Sequence, residues 1–474
     1  SDIHEKIIDE LTKKTLPGGY SALGENEKVE FLLKTPRIKG TPRLGEEGRD
    51  LRELFREMNA EGSEGFNCFI VSMTESVSDL LEARWIQQAF GMKDPLPVVP
   101  LFETPDALEN APAVMKEFWK HLPKKQVRED QQIMLGYSDS TKRGGLLASA
   151  WTLHRVQRDL EKEARRRKKS LVFFHGRGGS IGRGGGPVRV ALRSLPMGTR
   201  LHRIRVTEQG ESIESKFGLP GIALRTFELY MMAVLEGRFE KTSKHRDQWA
   251  RMMDRIGEES QADFRAFIYE DPGFNRFFRA VTPVEELGVL NIGSRPSRRK
   301  KTTNLDSLRA IPWIFSWTQN RALLASWCGT GRVLRSYWDR GQGETLKRMY
   351  REWPFFQSTL DLLEMVLAKS DMETFRLYAS HLLEGDDLRR AQAVQAEYEI
   401  TVRMIQKVMG ERRLLQHHPV LRESIEVRTR YVEVLNRLQI EVLKRRRGGK
   451  ASKTLDRALA LTISGIAAGM RNTG

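Results

Sequence analysis

Short apolar runs that end in polar residues and then give way to helical patterns recur along this chain, and that alternation constrains its fold more than any other feature. The runs are Phe69 to Met73, Val98 to Thr104, Ile133 to Asp139, Leu171 to Arg177, Ile204 to Gln209 and Val289 to Arg295. Apolar runs separated by helical stretches predict an α/β fold on a parallel sheet, open or closed into a barrel. Chemically capable residues at the carboxyl ends of the runs fit a barrel, whose sites lie on that face. A further run, Ala310 to Trp317, is too apolar and too interrupted by Pro312 to assign. Residues 1–64 are polar and read as a peripheral helix and connector, and residues 65–335 carry the runs. Residues 336–474 read as wholly helical, with Leu360, Leu363, Val366 and Leu367 in one stretch and Val434, Leu435, Leu438, Ile440 and Leu443 in another near helical spacing. The expected class is therefore α/β and predominantly helical.

The fourth run leads into a loop, His175 to Pro187, that holds seven glycines with Arg177 and Arg183. Glycine has no Cβ, so successive backbone N–H groups can converge on an anion. Arginine adds a fixed, always-charged fork suited to phosphate or carboxylate. A flexible linker or an RNA-binding Arg-Gly tract would lack the apolar run that precedes this loop. The spacing matches neither a dinucleotide-binding fingerprint nor a P-loop.

The chain carries a net charge of +17. Much of it sits in three clusters, Arg165 to Lys169, Arg298 to Lys301 and Lys444 to Arg447. The first and third end helix-like stretches, where cations complement the helix dipole, and this placement argues against a nucleic-acid partner. Anionic substrates are another outlet for the charge. No uninterrupted apolar run is long enough for a membrane helix, and residues 1–30 lack the apolar segment of a secretory signal. Cys68 and Cys328 form no zinc or redox pattern and suit a reducing, cytoplasmic compartment. Ser1 in place of an initiator Met points to a fragment or processed product.

Glu103 and Asp139 close two consecutive runs. Carboxylates at adjacent strand ends can share a hard cation such as Mg2+ or Mn2+, although each can equally cap the helix that follows. Lys142 stands three residues beyond Asp139, as a neutraliser of phosphate or enolate or as a surface lysine. His175 is a candidate acid/base or anion ligand, or a histidine hydrogen-bonded beneath the loop. Arg177, Arg183, Arg295 and Arg309 at strand-end positions together suggest a pocket for more than one anion.

Several ordered strings make the chain resemble the carboxy-terminal half of the phosphoenolpyruvate carboxylases. They are Pro100 to Thr104, Gly136 to Ser140 with Lys142, His175 to Pro187, Glu208 to Glu211, Gly293 to Pro296, Leu308 to Arg321 and Gly465 to Gly474. The resemblance implies most of a TIM-like β-barrel, incomplete in this chain, followed by an all-helical region. It also implies a lyase-class carboxylation of phosphoenolpyruvate with bicarbonate to oxaloacetate and phosphate, an anaplerotic supply to the tricarboxylic acid cycle. Glu103 and Asp139 match the family's ligands for Mg2+ or Mn2+. Arg177, Arg295, Arg309, Lys142 and His175 match its active-site positions. Arg183, Lys369, Arg428 and Asn472 match the allosteric site for aspartate or malate as inhibitor. A homo-tetramer is implied for the full-length enzyme.

The chain also departs from the family. The catalytic histidine of a Thr-Ala-His-Pro-Thr string belongs to the amino-terminal half and has no counterpart here. Arg143 stands where an aspartate is usual, and the basic charge contrasts with acidic relatives. Alternatives to an active carboxylase are a catalytically silent anion-binding half, a subunit paired with a separate amino-terminal half, and, less favoured, a basic RNA-binding protein.

Overall fold

The computed structural model describes residues 2–16, 18–36, 38, 42–62, 65–122, 130–176, 195–196, 205–208, 210–239, 246–289, 304–450 and 452–471. Five strands, β1 (Phe69–Val71), β2 (Val98–Phe102), β3 (Gln131–Gly136), β4 (Leu171–Gly176) and β5 (Arg205–Val206), form one parallel sheet in strict sequence order. Phe69 pairs with Val98, Phe102 with Leu135, Leu135 with His175, and His175 with Val206. Because all strands run the same way, their carboxyl ends share one edge. The middle strands bury near-continuous apolar residues, Val98, Val99 and Phe102 in β2 and Val172 to Phe174 in β4, as parallel strands covered on both faces do.

Contacts divide the chain into a strand-bearing unit, residues 1–136, 155–176 and 203–206, and a helical unit that holds the rest. In the strand-bearing unit, α1 (Asp2–Thr12), α2 (Glu25–Leu32) and α3 (Glu46–Glu61) precede the sheet. Helices α4 (Val77–Ala89) and α5 (Pro105–Phe118) fill the next two crossovers. The polar amino-terminal stretch thus makes three helices rather than one, and it enters the core through Ile7, Ile8, Leu11, Phe55 and Met58. Tyr20 donates its hydroxyl to buried Glu82 of α4 at 2.9 Å, and Glu25 of α2 accepts from both the N–H and the hydroxyl of Ser78 at the start of α4.

Beyond β3 the chain enters the helical unit through α6 (Ser138–Gly144), and α7 (Leu146–Arg166) is divided between the two units. The helical unit continues with α8 (Gly210–Phe217), α9 (Pro220–Phe239), α10 (Arg246–Ile268), α11 (Phe274–Val281) and α12 (Ala310–Gln319). It ends with α13 (Gly331–Tyr337), α14 (Gly343–Glu352), α15 (Pro354–Lys369), α16 (Met372–Leu382), α17 (Asp386–Met409), α18 (Pro419–Arg447) and α19 (Lys453–Met470). The unassigned run Ala310 to Trp317 is helical. Arg309 is its extended N-cap, Pro312 falls in the first turn where no backbone donor is missed, and Trp313 and Trp317 bury one face. Phe278 packs on both rings, with centroids 4.8 and 5.3 Å away. The expected helical carboxy-terminal region is present.

Two of the basic clusters end helices as expected, α7 and α18, and their arginines are ion-paired. Arg165 meets Glu161, Arg167 meets Glu163, Arg445 meets Glu441, and Arg447 reaches Glu286 and the carbonyls of Ala280 and Thr282. The Arg298 to Lys301 cluster lies outside the described residues, as does the run at 290–295. Cys328 is buried and Cys68 half-buried, both free. No described helix is long and apolar enough to cross a membrane.

Buried Glu364 ties the loop before α18 to α15. Glu364, 1% exposed, accepts the Leu415 N–H and hydrogen-bonds the carboxyl of Glu411. Burial first, then the neighbouring carboxyl groups of Glu411 and Asp361, push Glu364 up to about 8. A carboxyl raised in the folded state stabilises fully below its unfolded pKa of about 4.3, and that contribution fades as pH rises toward the folded value. Glu364→Gln keeps both hydrogen bonds and removes the titration. In urea denaturation it is expected to gain on the order of 2 kcal/mol over the parent at pH 8 and to match it near pH 5. An equal pH dependence in both proteins would contradict the raised Glu364 carboxyl.

Candidate functional site

The carboxyl edge of the sheet is built so that Glu103 can be held there. Glu103 follows β2 directly, and its Oε1 accepts the Met73 N–H at 3.1 Å, just past β1. Met73 takes a left-handed φ of 55°, which turns that N–H. On the other side, a Cβ at Gly136 would lie 2.4 Å from the Glu103 Cβ and 2.9 Å from its Cα. A side chain at the end of β3 would therefore push Glu103 aside. Gly176, at the end of β4, is likewise tight, with an imagined Cβ 3.0 Å from the Leu135 carbonyl oxygen. His175, 3% exposed, sits at the same edge between β3 and β5. The strand-bearing unit thus brings Glu103 and His175 to one sheet edge, as the run pattern predicts.

Asp139 and Lys142 lie on α6 in the helical unit. Lys142 is no surface lysine: it is 2% exposed, and its ammonium donates to the Leu305 carbonyl at 2.6 Å. Its own carbonyl accepts the Tyr269 hydroxyl at 3.1 Å, and burial raises that phenol above its ordinary range. The Leu305 turn is fixed by Asn304, whose side chain caps the Ser307 N–H. Two residues on, half-buried Arg309 begins α12, which packs on α6. Lys142 and Arg309 thus belong to one local assembly. Arg177, Arg183, Arg295 and Asn472 lie outside the described residues.

Glu103 and Asp139 are both oxygen donors. Among the described residues no three His, Cys, Asp or Glu side chains gather as a metal cage. Carboxylate oxygens are the donor type that Mg2+ and Mn2+ take.

A second cationic cluster sits where α15, α18 and α19 converge. Lys369, the last residue of α15, is lowered to about 8 by burial, then by Arg428 and Arg471. Arg428 donates to the Ser424 and Gly469 carbonyls, and burial and then Arg471 hold its guanidinium below its ordinary value. The approach depends on small residues, because Cβ atoms at Gly465 and Gly469 would meet Leu435 at 2.8 Å and Val432 at 2.3 Å. Beneath lies Arg321, 1% exposed, which donates to the Lys369 carbonyl and the Thr429 hydroxyl, each at 3.3 Å. Its Nε and Nη1 are buried without a hydrogen-bond partner among the described residues. Arg321 and Arg471 were missed by sequence reasoning, although both stand inside quoted strings. Crowded, desolvated cations that have no hydrogen-bonded carboxylate among the described residues suit an anionic ligand.

A family model described as phosphoenolpyruvate carboxylase matches residues 1–474. The chain is similar to the phosphoenolpyruvate carboxylase of Tolumonas auensis, 39% identical over 480 residues, covering 99% of this chain and 55% of the relative. It is 38% identical over 493 residues to phosphoenolpyruvate carboxylase 4 of Arabidopsis thaliana, covering 99% and 48%. With the Alcanivorax borkumensis phosphoenolpyruvate carboxylase the identity is 40% over 486 residues, covering 99% and 54%. The chain spans about half the length of the curated relatives it matches.

The contact between Gly136 and Glu103 makes a direct prediction. Gly136→Ala is expected to cost about 1–3 kcal/mol in urea denaturation, because the strand end must shift. Gly65→Ala, with open space around its Cβ, is expected to stay within about 0.5 kcal/mol of the parent. Equal stability of the two variants would show that the strand ends are not packed as described.

Proposed function

Because this chain belongs to the phosphoenolpyruvate carboxylase family, we propose that it supplies the metal- and anion-binding half of an enzyme that carboxylates phosphoenolpyruvate with bicarbonate. The observation that carries this reading is Glu103 and His175 at the carboxyl edge of a parallel sheet ordered β1 to β5. Sequence-ordered parallel strands are those of a singly wound barrel, so we read them as most of a barrel whose first strands lie on the half this chain does not span. The organisation proposed is residues 1–64 as an amino-terminal helical segment, 65–335 as partial barrel and 336–474 as effector-binding helical region.

Glu103 and Asp139 would hold Mg2+ or Mn2+, which supplies positive charge for an enolate oxygen. Arg177, Arg295 and Arg309 bind the phosphate, carboxylate and bicarbonate as bidentate forks, and buried Lys142 adds charge beside Arg309. Oxygen of bicarbonate attacks phosphorus, and the phosphate–enol bond breaks to leave carboxyphosphate and the enolate of pyruvate. Carboxyphosphate releases CO2 and phosphate, and the enolate carbon adds to CO2 to give oxaloacetate. His175, two residues before Arg177 in sequence, would hold or pass a proton at that edge. The family's catalytic histidine comes from the amino-terminal half. Lys369, Arg428, Arg183 and Asn472 take aspartate or malate as inhibitor, with Arg321 and Arg471 beside them. In full the enzyme is an anaplerotic homo-tetramer of the cytoplasm.

The test is oxaloacetate formation, coupled to NADH oxidation, by this chain with and without a co-expressed amino-terminal portion of the Tolumonas enzyme. Activity only in the pair is expected, with Arg309→Met lowering kcat/KM roughly a hundredfold. Oxaloacetate from neither preparation would favour a silent anion-binding half. The inhibitor site has its own signature. A dicarboxylate needs the ammonium form of Lys369, so aspartate affinity is expected to fall as pH rises through about 8. Lys369→Met should abolish that step, and an unchanged step would remove Lys369 from the site.

A further inference from the structure

Helix α9 is apolar over much of its circumference, yet none of its described side chains is buried. Leu224, Phe227, Met231 and Leu235 recur on one face and are 63%, 56%, 63% and 51% exposed. Leu219, Ile222 and Met232 are exposed beside them. Isolated exposed leucines need no explanation, whereas a stripe three turns long marks a surface that another element covers. The helix is tethered to its neighbourhood by polar contacts. Thr226 donates to the Lys216 carbonyl at the end of α8, and Tyr230 donates to Glu208. Phe227 touches Phe217 of α8 and still offers most of its ring outward. No described helix is suited to span a membrane, and the ion pair of Arg225 with Glu228 keeps charge on this one.

We infer that the Leu224–Phe227–Met231–Leu235 face of α9 is a docking surface for the amino-terminal portion of the enzyme, the part of the longer relatives that this chain does not span. The inference rests on the carboxylase reading for what precedes this segment. Its occupant follows from length: the relatives continue for nearly as many residues again beyond the matched part. A helix apolar on this scale belongs inside a larger assembly, and the uncovered portion is the polypeptide available to enclose it.

The test joins the uncovered portion of the Tolumonas enzyme to this 474-residue chain as one polypeptide and follows hydrogen exchange at residues 220–235. Exchange there is expected to slow at least tenfold relative to the chain alone. Phe227→Asp with Met231→Asp should reverse the slowing, while Leu54→Asp, at an exposed leucine of α3, should not. Unchanged exchange in the fusion overturns the inference. So does protection in the chain alone that disappears on dilution, because a second copy would then be the occupant. Co-purification of the two portions expressed as separate chains gives an independent readout, which the double variant should abolish. Retention of the pair by that variant would equally overturn the surface. A fusion that protects α9 without making oxaloacetate refutes the carboxylase reading alone, and one that makes oxaloacetate with α9 exposed refutes the docking alone.

Discussion

The closeness of parallel strands at their carboxyl ends is the constraint on which the placement of the candidate groups depends. Gly136 leaves no room for a side chain against Glu103, and the Met73 N–H holds the carboxylate from the other side. Glu103 is thereby placed by backbone rather than by a flexible neighbour, the condition for a preorganised charge. The same edge holds His175 and leads into the glycine-rich loop, so a short stretch of sheet sets the starting positions of several candidate groups. The opposite edge carries none of these groups, as expected for parallel strands whose functional loops follow their carboxyl ends.

Buried charge is the second theme. Desolvation of a cation is costly unless an anion or strong acceptors compensate, and the helical unit meets that cost in two ways. Lys142 satisfies its ammonium with the Leu305 carbonyl and becomes part of a rigid turn that also carries Arg309. Arg428 and Arg321 instead lean on backbone carbonyls and one hydroxyl, with no carboxylate hydrogen-bonded to either among the described residues. The first arrangement fixes a position, and the second is the kind of site that suits an anion.

Much of the sheet was legible because strands buried on both faces read as short apolar runs: β1, β2 and β4 lie inside the runs assigned, and β3 overlaps its run but starts two residues earlier, at Gln131. The fifth is shorter than its run: β5 spans Arg205–Val206, and Arg205 is anchored by its guanidinium, over Phe174 at 4.3 Å and hydrogen-bonded to Gln132 and Asn67. The helix Ala310–Gln319 was illegible because an apolar run with Pro312 fits a strand edge or a first helical turn equally well, and the deciding fact is the packing of Trp313 and Trp317. The three amino-terminal helices were hidden by their polar outer faces. The cationic cluster joins residues far apart in sequence, and only the glycine-mediated approach of α18 and α19 brings Arg428 to Gly469. Lys369 and Arg428 were found through resemblance, not through spacing.

The proposed function assigns Glu103 and Asp139 to one divalent cation. The most direct measurement is Mn2+ titration of this chain followed by electron paramagnetic resonance, in the parent and in Glu103→Gln and Asp139→Asn. The account predicts one Mn2+ site that either substitution weakens at least tenfold, with the fold unchanged by circular dichroism. Mn2+ binding indifferent to both substitutions would contradict it.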